Sequence, residues 1–204
     1  MDPARTALVL IGYQNDYFAP DGILHGVFED PDWVRQVKEN TLELLAALRG
    51  TPVSVFSTPI CFTPDYNELD DPVGILKTIK EVGAFQAGQS GSETIPEFAA
   101  YADTIQEVPG KRGLNAFSNT ELAERFRERG IEDVVIAGAV TTVCVDSTAR
   151  AATEMGYRVA ILCDCTLARE RFEQDFYCEK IFPIYARVLD RHRLLQELGM
   201  EQAA

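Results

Sequence analysis

Cys144 is the residue whose type and position most clearly suggest chemistry. It lies in the run VVIAGAVTTVCVDSTARAA (134–152), where a strand-like apolar segment and a turn of small residues lead into a predicted helix. Backbone N–H groups and the positive end of the helix dipole favour a thiolate at such a position and can bind an oxyanion. The alternative is that Cys144 only packs in the core, because free cysteines are among the most buried residues.

Lys111 adds a cation at the end of a second strand-like segment. It lies in VPGKRGLNAFSNTEL (108–122), ahead of a helix whose N-cap is predicted at Ser118 or Asn119. An ammonium group at the carboxyl end of a strand can stabilise a nearby thiolate, especially when both groups are partly desolvated. The alternative is a solvated surface lysine beside Arg112.

The run IGYQNDYF (11–18) is polar and aromatic where the first strand gives way to a loop. The side chains at 14–16 can hydrogen-bond to backbone groups and so fix the loop. Tyr17 and Phe18, with Phe62 from a later loop, are predicted to form the apolar walls of a substrate pocket. The alternative is an ordinary junction between strand and loop.

These candidates follow apolar segments of strand length that alternate with helix-like segments. The strongest strand-like segments are continuously apolar, as in strands covered on both faces. Their alternation with amphipathic segments such as 30–50 predicts a three-layer α/β fold, with helices on both faces of a mostly parallel sheet. Ligands of such sheets bind beyond the carboxyl ends of the strands. The strand-like segments are 7–12, 52–58, 104–108, 133–138, 158–163 and 186–190.

Composition and charge favour a single domain that binds small molecules. No repeat, linker or low-complexity tract divides residues 1–204, and the formal net charge of −13 repels phosphate backbones, so no nucleic acid partner is expected. No run approaches the roughly 18 apolar residues of a membrane span, so no membrane association is expected. The N-terminal apolar run does not resemble an export signal and the five cysteines form no disulfide framework, which predicts a cytoplasmic location.

Potential metal ligands are scarce in the sequence. Cys163 and Cys165 form a C-x-C pair without a second pair or a nearby histidine, and His25 and His192 are the only histidines. A zinc site, a multi-histidine centre or a Ser-His-Asp arrangement is therefore not predicted. We expect neither a metal nor another cofactor.

In combination and order, the three motifs resemble those of the isochorismatase-like cysteine hydrolases. This superfamily includes nicotinamidases, N-carbamoylsarcosine amidases and isochorismatases, and the resemblance runs from about residue 6 to residue 165. The run AGAVTTVCV is similar to the family's AGVATDVCV, and KRGLNAFSNTEL is similar to its K-x-x-x-SAF-x-x-T-x-L. The run ALVLIGYQNDYF is similar to the family's ALLVIDxQNDF.

The resemblance implies a Rossmann-type sheet of six parallel strands and a hydrolase with a small-molecule substrate. It places the nucleophile on Cys144 and the catalytic lysine on Lys111. It also implies a cis peptide bond between Ala139 and Val140, which would orient the Val140 and Cys144 amides as an oxyanion hole. Family members commonly form oligomers, so a homodimer or homotetramer is expected, and an exposed aromatic stripe within 169–188 would mark the subunit contact.

Gly12 is the main departure from the family, because it stands where the family has the aspartate that accepts the thiol proton. Three hypotheses remain open. Lys111 and the helix terminus suffice to ionise Cys144, leaving a Cys-Lys dyad; another carboxylate acts, with Asp16 the nearest in sequence; or hydrolysis has been lost. The glycine also predicts extra space at the floor of the site, for a larger or anionic substrate.

Two smaller departures concern metal binding and local hydrogen bonds. Nicotinamidases carry D-x-H-x-x-x-H after their second strand, whereas this chain has STPICFTPDYNEL (57–69), which contains no histidine. Metal-dependent nicotinamidase chemistry is therefore not expected. Asn115 replaces the serine of the family's SAF motif.

The function predicted from the sequence is hydrolysis of an amide or related small acyl substrate, at a C–N bond other than a peptide bond. The reaction would pass through a thioester on the cysteine. One alternative is a ligand-binding or regulatory protein on a hydrolase scaffold that has lost its activity. Another is a lyase or isomerase that uses the same cleft. The sequence does not identify the substrate.

Overall fold

The six strand-like segments form one sheet in which every strand pair is parallel, so the predicted α/β fold is confirmed. The computed structural model describes residues 1–200 of the chain. Its strands are β1 (Thr6–Ile11), β2 (Ser54–Thr58), β3 (Ile105–Glu107), β4 (Asp133–Ala139), β5 (Arg158–Leu167) and β6 (Arg187–Leu189). They lie in the order β3-β2-β1-β4-β5-β6, which places β1 and β4 in the middle of the sheet.

Helices cover both faces of this sheet. Within residues 1–200, no helix is both long and apolar enough to cross a membrane. The α-helices are α1 (Asn15–Phe18), α2 (Pro31–Leu48), α3 (Gly74–Val82), α4 (Leu122–Glu128), α5 (Asp146–Glu154), α6 (Arg171–Phe176) and α7 (Arg191–Glu197).

Side chains of the central strands alternate between two apolar cores. In β1, Leu8 and Leu10 pack in the core under α2 and α7, whereas Val9 and Ile11 pack in the core under α4 and α5. Successive strand residues point to opposite faces, so a strand buried on both faces is apolar at every position. This explains why β1 appears in the sequence as a continuous apolar run.

Capping by Asp30 sets the start of α2, within the predicted amphipathic segment 30–50. The Asp30 carboxylate accepts hydrogen bonds from the amides of Asp32 and Trp33 at 3.0 and 3.2 Å, and Pro31 is the first helical residue. The helix ends at Leu48, shortly before Gly50 as predicted.

The N-cap predicted for α4 is wrong. The Ser118 amide donates to the Asn115 carbonyl at 3.2 Å within a turn, and Asn119 has a φ of +60°. A left-handed residue cannot continue a right-handed helix, so the helix starts later. It begins at Leu122, whose amide donates to the Thr120 hydroxyl at 3.3 Å.

The aromatic residues of 169–188 divide between core and surface. Phe182 is fully buried, whereas Phe172 and Phe176 are exposed and stack with 6.0 Å between their ring centroids. An exposed aromatic stripe therefore exists in this segment. The homo-oligomer that it would serve stays a prediction.

Gln14 joins two loops at the carboxyl edge of the sheet. Its side-chain nitrogen donates to the carbonyls of Ile60 and Ser92 at 2.8 and 2.7 Å, and its side-chain oxygen accepts from the Ile60 amide at 2.9 Å. The Gln14 side chain is buried, so water does not compete with it as the hydrogen-bond partner of these backbone groups. The long segment after β2 is thereby fixed against the end of β1.

Asn15 and Asp16 fix the same segment farther along. Asn15 donates to the Ser90 carbonyl at 2.8 Å, and Asp16 Oδ2 accepts from the Phe85 amide at 2.6 Å. Gly91 packs so closely on Asp16 that a Cβ there would collide with its carboxylate. The loop-fixing role predicted for the side chains at 14–16 is confirmed.

Replacing Gln14 with alanine is expected to lower the free energy of unfolding by about 2–4 kcal/mol, because three hydrogen bonds, two of them buried, are lost at about 0.5–1.5 kcal/mol each. Asn15→Ala is the control, since its single bond is exposed and its loss should cost less than about 1 kcal/mol. Urea unfolding of both variants measures the difference. Equal losses would contradict the role given to Gln14.

Candidate active site

The parallel sheet brings the predicted nucleophile and the predicted lysine into contact. Lys111 follows β3, Cys144 follows β4, and Lys111 Nζ lies 3.6 Å from Cys144 Sγ. Lys111 is 1% exposed and Cys144 is 6% exposed. The alternative prediction that Lys111 is a solvated surface lysine is therefore wrong. The thiol also does more than pack in the core, because its sulfur contacts a buried amine.

Backbone contacts hold Lys111 in place while its neighbour turns away. The Cys61 amide donates to the Lys111 carbonyl at 3.3 Å, and Ile60 pairs with Lys111 in a parallel bridge. Arg112 forms an ion pair with Glu68 at 3.1 Å and donates to the Cys61 carbonyl. Within residues 1–200, no carboxylate lies within ion-pair distance of Lys111 Nζ, which leaves the thiol as its side-chain partner.

Cys144 belongs to a wide helical turn at the end of β4. The turn, Thr141–Val145, is π-helical and leads directly into α5. The peptide bond between Ala139 and Val140, just ahead of the turn, is cis. The helical conformation thus begins before Cys144, which still lies in the first turn, where the dipole acts.

Gln174 supports this turn through side-chain hydrogen bonds, a role that was not predicted from the sequence. Its Oε1 accepts a hydrogen bond from the Thr141 hydroxyl at 2.7 Å. Its Nε2 donates to the Thr166 hydroxyl at 2.9 Å and to the Cys163 carbonyl at 3.0 Å. No sequence pattern marks a buried glutamine in a short, otherwise exposed helix, because its hydrogen-bond partners come from the ends of two different strands.

The backbone around Gly12 excludes a side chain. Gly12 has a φ of +68°, and a Cβ there would lie 2.7 Å from the Ala139 carbonyl oxygen and 3.5 Å from Tyr17 Cδ2. A reciprocal approach occurs at Gly138, where a Cβ would collide with the Ile11 carbonyl. The predicted extra space is therefore absent at the Cβ position, because the Ala139 carbonyl lies too close to it.

The three predicted wall residues are all buried in one apolar core, Tyr17 included. Phe62 has no exposed surface and packs on Tyr66 with 5.6 Å between ring centroids. Phe18 is also buried and stacks on Tyr13 at 4.8 Å. Both rings belong to the core behind the site, since the loops that carry them fold inward, whereas Tyr17 lies beside Gly12.

Burial makes three of the other cysteines poor nucleophiles. Desolvation raises the pKa of Cys163 and Cys165, and it raises the pKa of Cys178 to about 12. Cys144, in contrast, has an amine within 3.6 Å of its sulfur. In the part of the chain that the structure describes, no three His, Cys, Asp or Glu side chains converge to hold a metal.

Substoichiometric iodoacetamide at neutral pH is expected to alkylate Cys144 before Cys163, Cys165 and Cys178. The thiolate is the reactive form, and these three thiols ionise only above their ordinary range, near pH 12 for Cys178. Peptide mass spectrometry after timed quenching gives the order. Labelling of Cys178 as fast as Cys144 would contradict this assignment.

Gly12→Ala is expected to destabilise the protein by at least about 1 kcal/mol more than Gly50→Ala. Both glycines have φ near +70°, but a Cβ at Gly50 meets no atom within 4 Å, so this control isolates the backbone conformation from the contact. Thermal or urea unfolding provides the comparison. Equal costs would mean that the Ala139 carbonyl moves aside easily.

Comparison with known proteins identifies the family. Residues 6–193 match the Isochorismatase domain. The chain is 30% identical over 205 residues to the uncharacterized isochorismatase family protein YecD of Escherichia coli O157:H7, and the match covers 97% of this chain and 98% of YecD. It is 27% identical over 181 residues to ureidoacrylate amidohydrolase RutB of Methylobacterium radiotolerans, covering 81% of this chain and 68% of RutB.

A solved structure shows the same fold. The cysteine hydrolase from Pseudomonas syringae pv. phaseolicola matches with a TM-score of 0.84 at 20% sequence identity, over 98% of this chain and 94% of that chain. The Isochorismatase domain match spans all six strands and includes Lys111 and Cys144. The chain therefore belongs to the isochorismatase family.

Proposed function

We propose that the chain is a cysteine-dependent hydrolase that cleaves an amide or related acyl bond through a thioester on Cys144. The contact between Lys111 Nζ and Cys144 Sγ, 3.6 Å apart and buried, carries this proposal. A buried ammonium needs a negative partner, and the thiolate is the group within reach. The relationship to RutB, which is named an amidohydrolase, supports the same reaction class.

The first half of the reaction transfers the acyl group to sulfur. The Cys144 thiolate attacks the carbonyl carbon and forms a C–S bond, and the carbonyl oxygen becomes negative. The Lys111 ammonium then gives its proton to the leaving nitrogen. The C–N bond breaks, the amine departs, and a thioester remains beside a neutral Lys111.

The second half uses the neutral lysine as the base. Lys111 takes a proton from water while the oxygen of that water attacks the thioester carbon. The C–S bond then breaks, the acid leaves, and the thiolate and ammonium are restored. Lys111 thus gives a proton to the leaving nitrogen and takes one back from water. The cycle therefore needs no aspartate at position 12.

The oxyanion of both steps requires backbone donors. The Val140 and Cys144 amides are the proposed pair, since Val140 caps the turn that carries the sulfur and Cys144 lies within it. Gln174 contributes indirectly by holding Thr141 at the start of this turn. We assign it a positioning role, because it contacts the turn and not the sulfur.

Asp16 is a poor replacement for the missing aspartate. Its Oδ2 accepts the Phe85 amide at 2.6 Å, and Gly91 packs against its carboxylate. Phe85 and Gly91 thus hold both carboxylate oxygens against the loop that carries them. The Cys-Lys dyad is therefore favoured over the hypothesis of a substitute carboxylate.

Loss of hydrolysis is the second candidate, and Gly12 is the observation that favours it. A ligand-binding protein would keep the cleft and need neither an ionised thiol nor a buried lysine. Burying a lysine without a carboxylate is unfavourable, so a site without chemistry gains nothing from Lys111. The two candidates differ in whether the thiol forms a covalent bond with a ligand.

Lys111→Met and Cys144→Ser are each expected to lower kcat/KM on an amide panel by at least about 100-fold, because each removes a group that handles the proton or the acyl carbon. The panel contains primary amides and ureido compounds, and release of ammonia and acid is measured. Lys77→Met is the matched control, since Lys77 is exposed and pairs with Glu81 at 3.7 Å.

Equal turnover by the wild type and Cys144→Ser on an active amide would refute the nucleophile. Turnover that depends on Cys144 but not on Lys111 would refute the dyad. A protein that binds panel compounds, yields no product and shows no acyl adduct by intact mass would support the ligand-binding alternative.

A further inference from the structure

Tyr17 lies beside Gly12, where the chain leaves β1. Its ring lies 3.5 Å from the position of a Cβ on Gly12, and it is held edge-on between Phe85 and Phe28, with centroid distances of 5.0 and 5.6 Å. These contacts leave the ring 4% exposed. The ring is therefore fixed in the position that a side chain at residue 12 would otherwise approach.

The hydroxyl of Tyr17 differs from those of the other buried tyrosines. Tyr13 OH donates to the Cys165 carbonyl at 3.0 Å, and Tyr66 OH donates to the Ala84 carbonyl at 2.7 Å. Within residues 1–200, the Tyr17 hydroxyl has no hydrogen-bond partner. Every fully buried side-chain oxygen in the same residues does have one. The Tyr17 oxygen must therefore reach accessible space, although the rest of the ring does not.

Burial first, and then the charges of Cys144 and Asp16, raise the pKa of Tyr17 above its ordinary value. The phenol consequently stays protonated at physiological pH and cannot replace the aspartate as a base. It keeps a proton to donate. This side of the site therefore has a neutral donor at Tyr17 and no carboxylate at position 12.

We propose that Tyr17 is a specificity-determining residue whose hydroxyl donates a hydrogen bond to an oxygen of the substrate next to the scissile carbonyl. The inference rests on the proposed function, in that Cys144 marks the reacting carbon. With Lys111 and the backbone amides of the turn, Tyr17 makes this site rich in donors. Such a site suits an amide whose carbonyl carries an adjacent carboxylate or second carbonyl, because each oxygen can then accept a hydrogen bond.

A pair of ketones tests this inference without any hydrolysis. Pyruvate carries a carboxylate beside its carbonyl, and methyl isopropyl ketone carries an isopropyl group of similar shape there. Each is titrated as a competitor that protects Cys144 from iodoacetamide, in the wild type, in Tyr17→Phe and in Tyr101→Phe. Tyr101 is the control because its hydroxyl donates to the Leu42 carbonyl at 3.2 Å and supports α2.

Pyruvate is expected to protect the wild type at lower concentration than the ketone. Tyr17→Phe should raise the half-protecting concentration of pyruvate about tenfold relative to that of the ketone, since a hydrogen bond to a charged group typically contributes that much. Tyr101→Phe should leave this ratio within twofold. An unchanged ratio in Tyr17→Phe, or no preference for pyruvate in the wild type, would overturn the inference.

The outcome is separable from that of the proposed function. Pyruvate protection that depends on Tyr17, in a protein that hydrolyses no amide, would keep the specificity assignment and refute the hydrolase. Amide hydrolysis that depends on Cys144, without any effect of Tyr17 on protection, would keep the hydrolase and refute the specificity assignment.

Discussion

The contact between the Lys111 amine and the Cys144 thiol is the interaction on which the account of this site depends. Neither group is stable alone in its ionised form at this depth, because burial penalises an unpaired charge. In the proposed dyad, each group provides the counter-charge of the other across the 3.6 Å contact. The parallel sheet makes the pair possible, since the residues that follow β3 and β4 converge at one edge.

The second constraint is the close approach of two backbones at the ends of β1 and β4. Gly12 and Gly138 each lie against the carbonyl of the opposite strand, so neither position has room for a side chain. The glycine at position 12 thus fits the local backbone geometry, which leaves no room for a side chain there. An aspartate could be restored only together with a change in the path of the chain beside Ala139.

Much of the framework was predictable because it depends on local pattern. The strands were recognisable as continuous apolar runs, and β1 shows why: Leu8 and Val9 face different cores, so both must be apolar. The motifs around Lys111 and Cys144 indicated the family and the contact. The roles of Gln14 and Asp16 as links between loops followed from their short polar side chains at a strand end.

Other features depend on which distant residues happen to meet. Phe62 and Tyr17 have similar aromatic character in sequence, but only the fold shows that Phe62 packs on Tyr66 and Tyr17 lies beside Gly12. Gln174 could not be found because its partners at Thr141 and Thr166 come from separate strand ends. The space beside Gly12 was predicted from the absence of a side chain, and the sequence does not show that the Ala139 carbonyl would lie against this position.

The central claim is that a lysine, and no carboxylate, keeps the nucleophile ionised. The most direct measurement is the ultraviolet absorbance of the thiolate at neutral pH, taken as the difference between the wild type and Cys144→Ser and repeated in the Lys111→Met background. The account predicts a thiolate signal in the first pair that disappears in the second. A signal of equal size in both backgrounds, or no signal in the wild type, would contradict it.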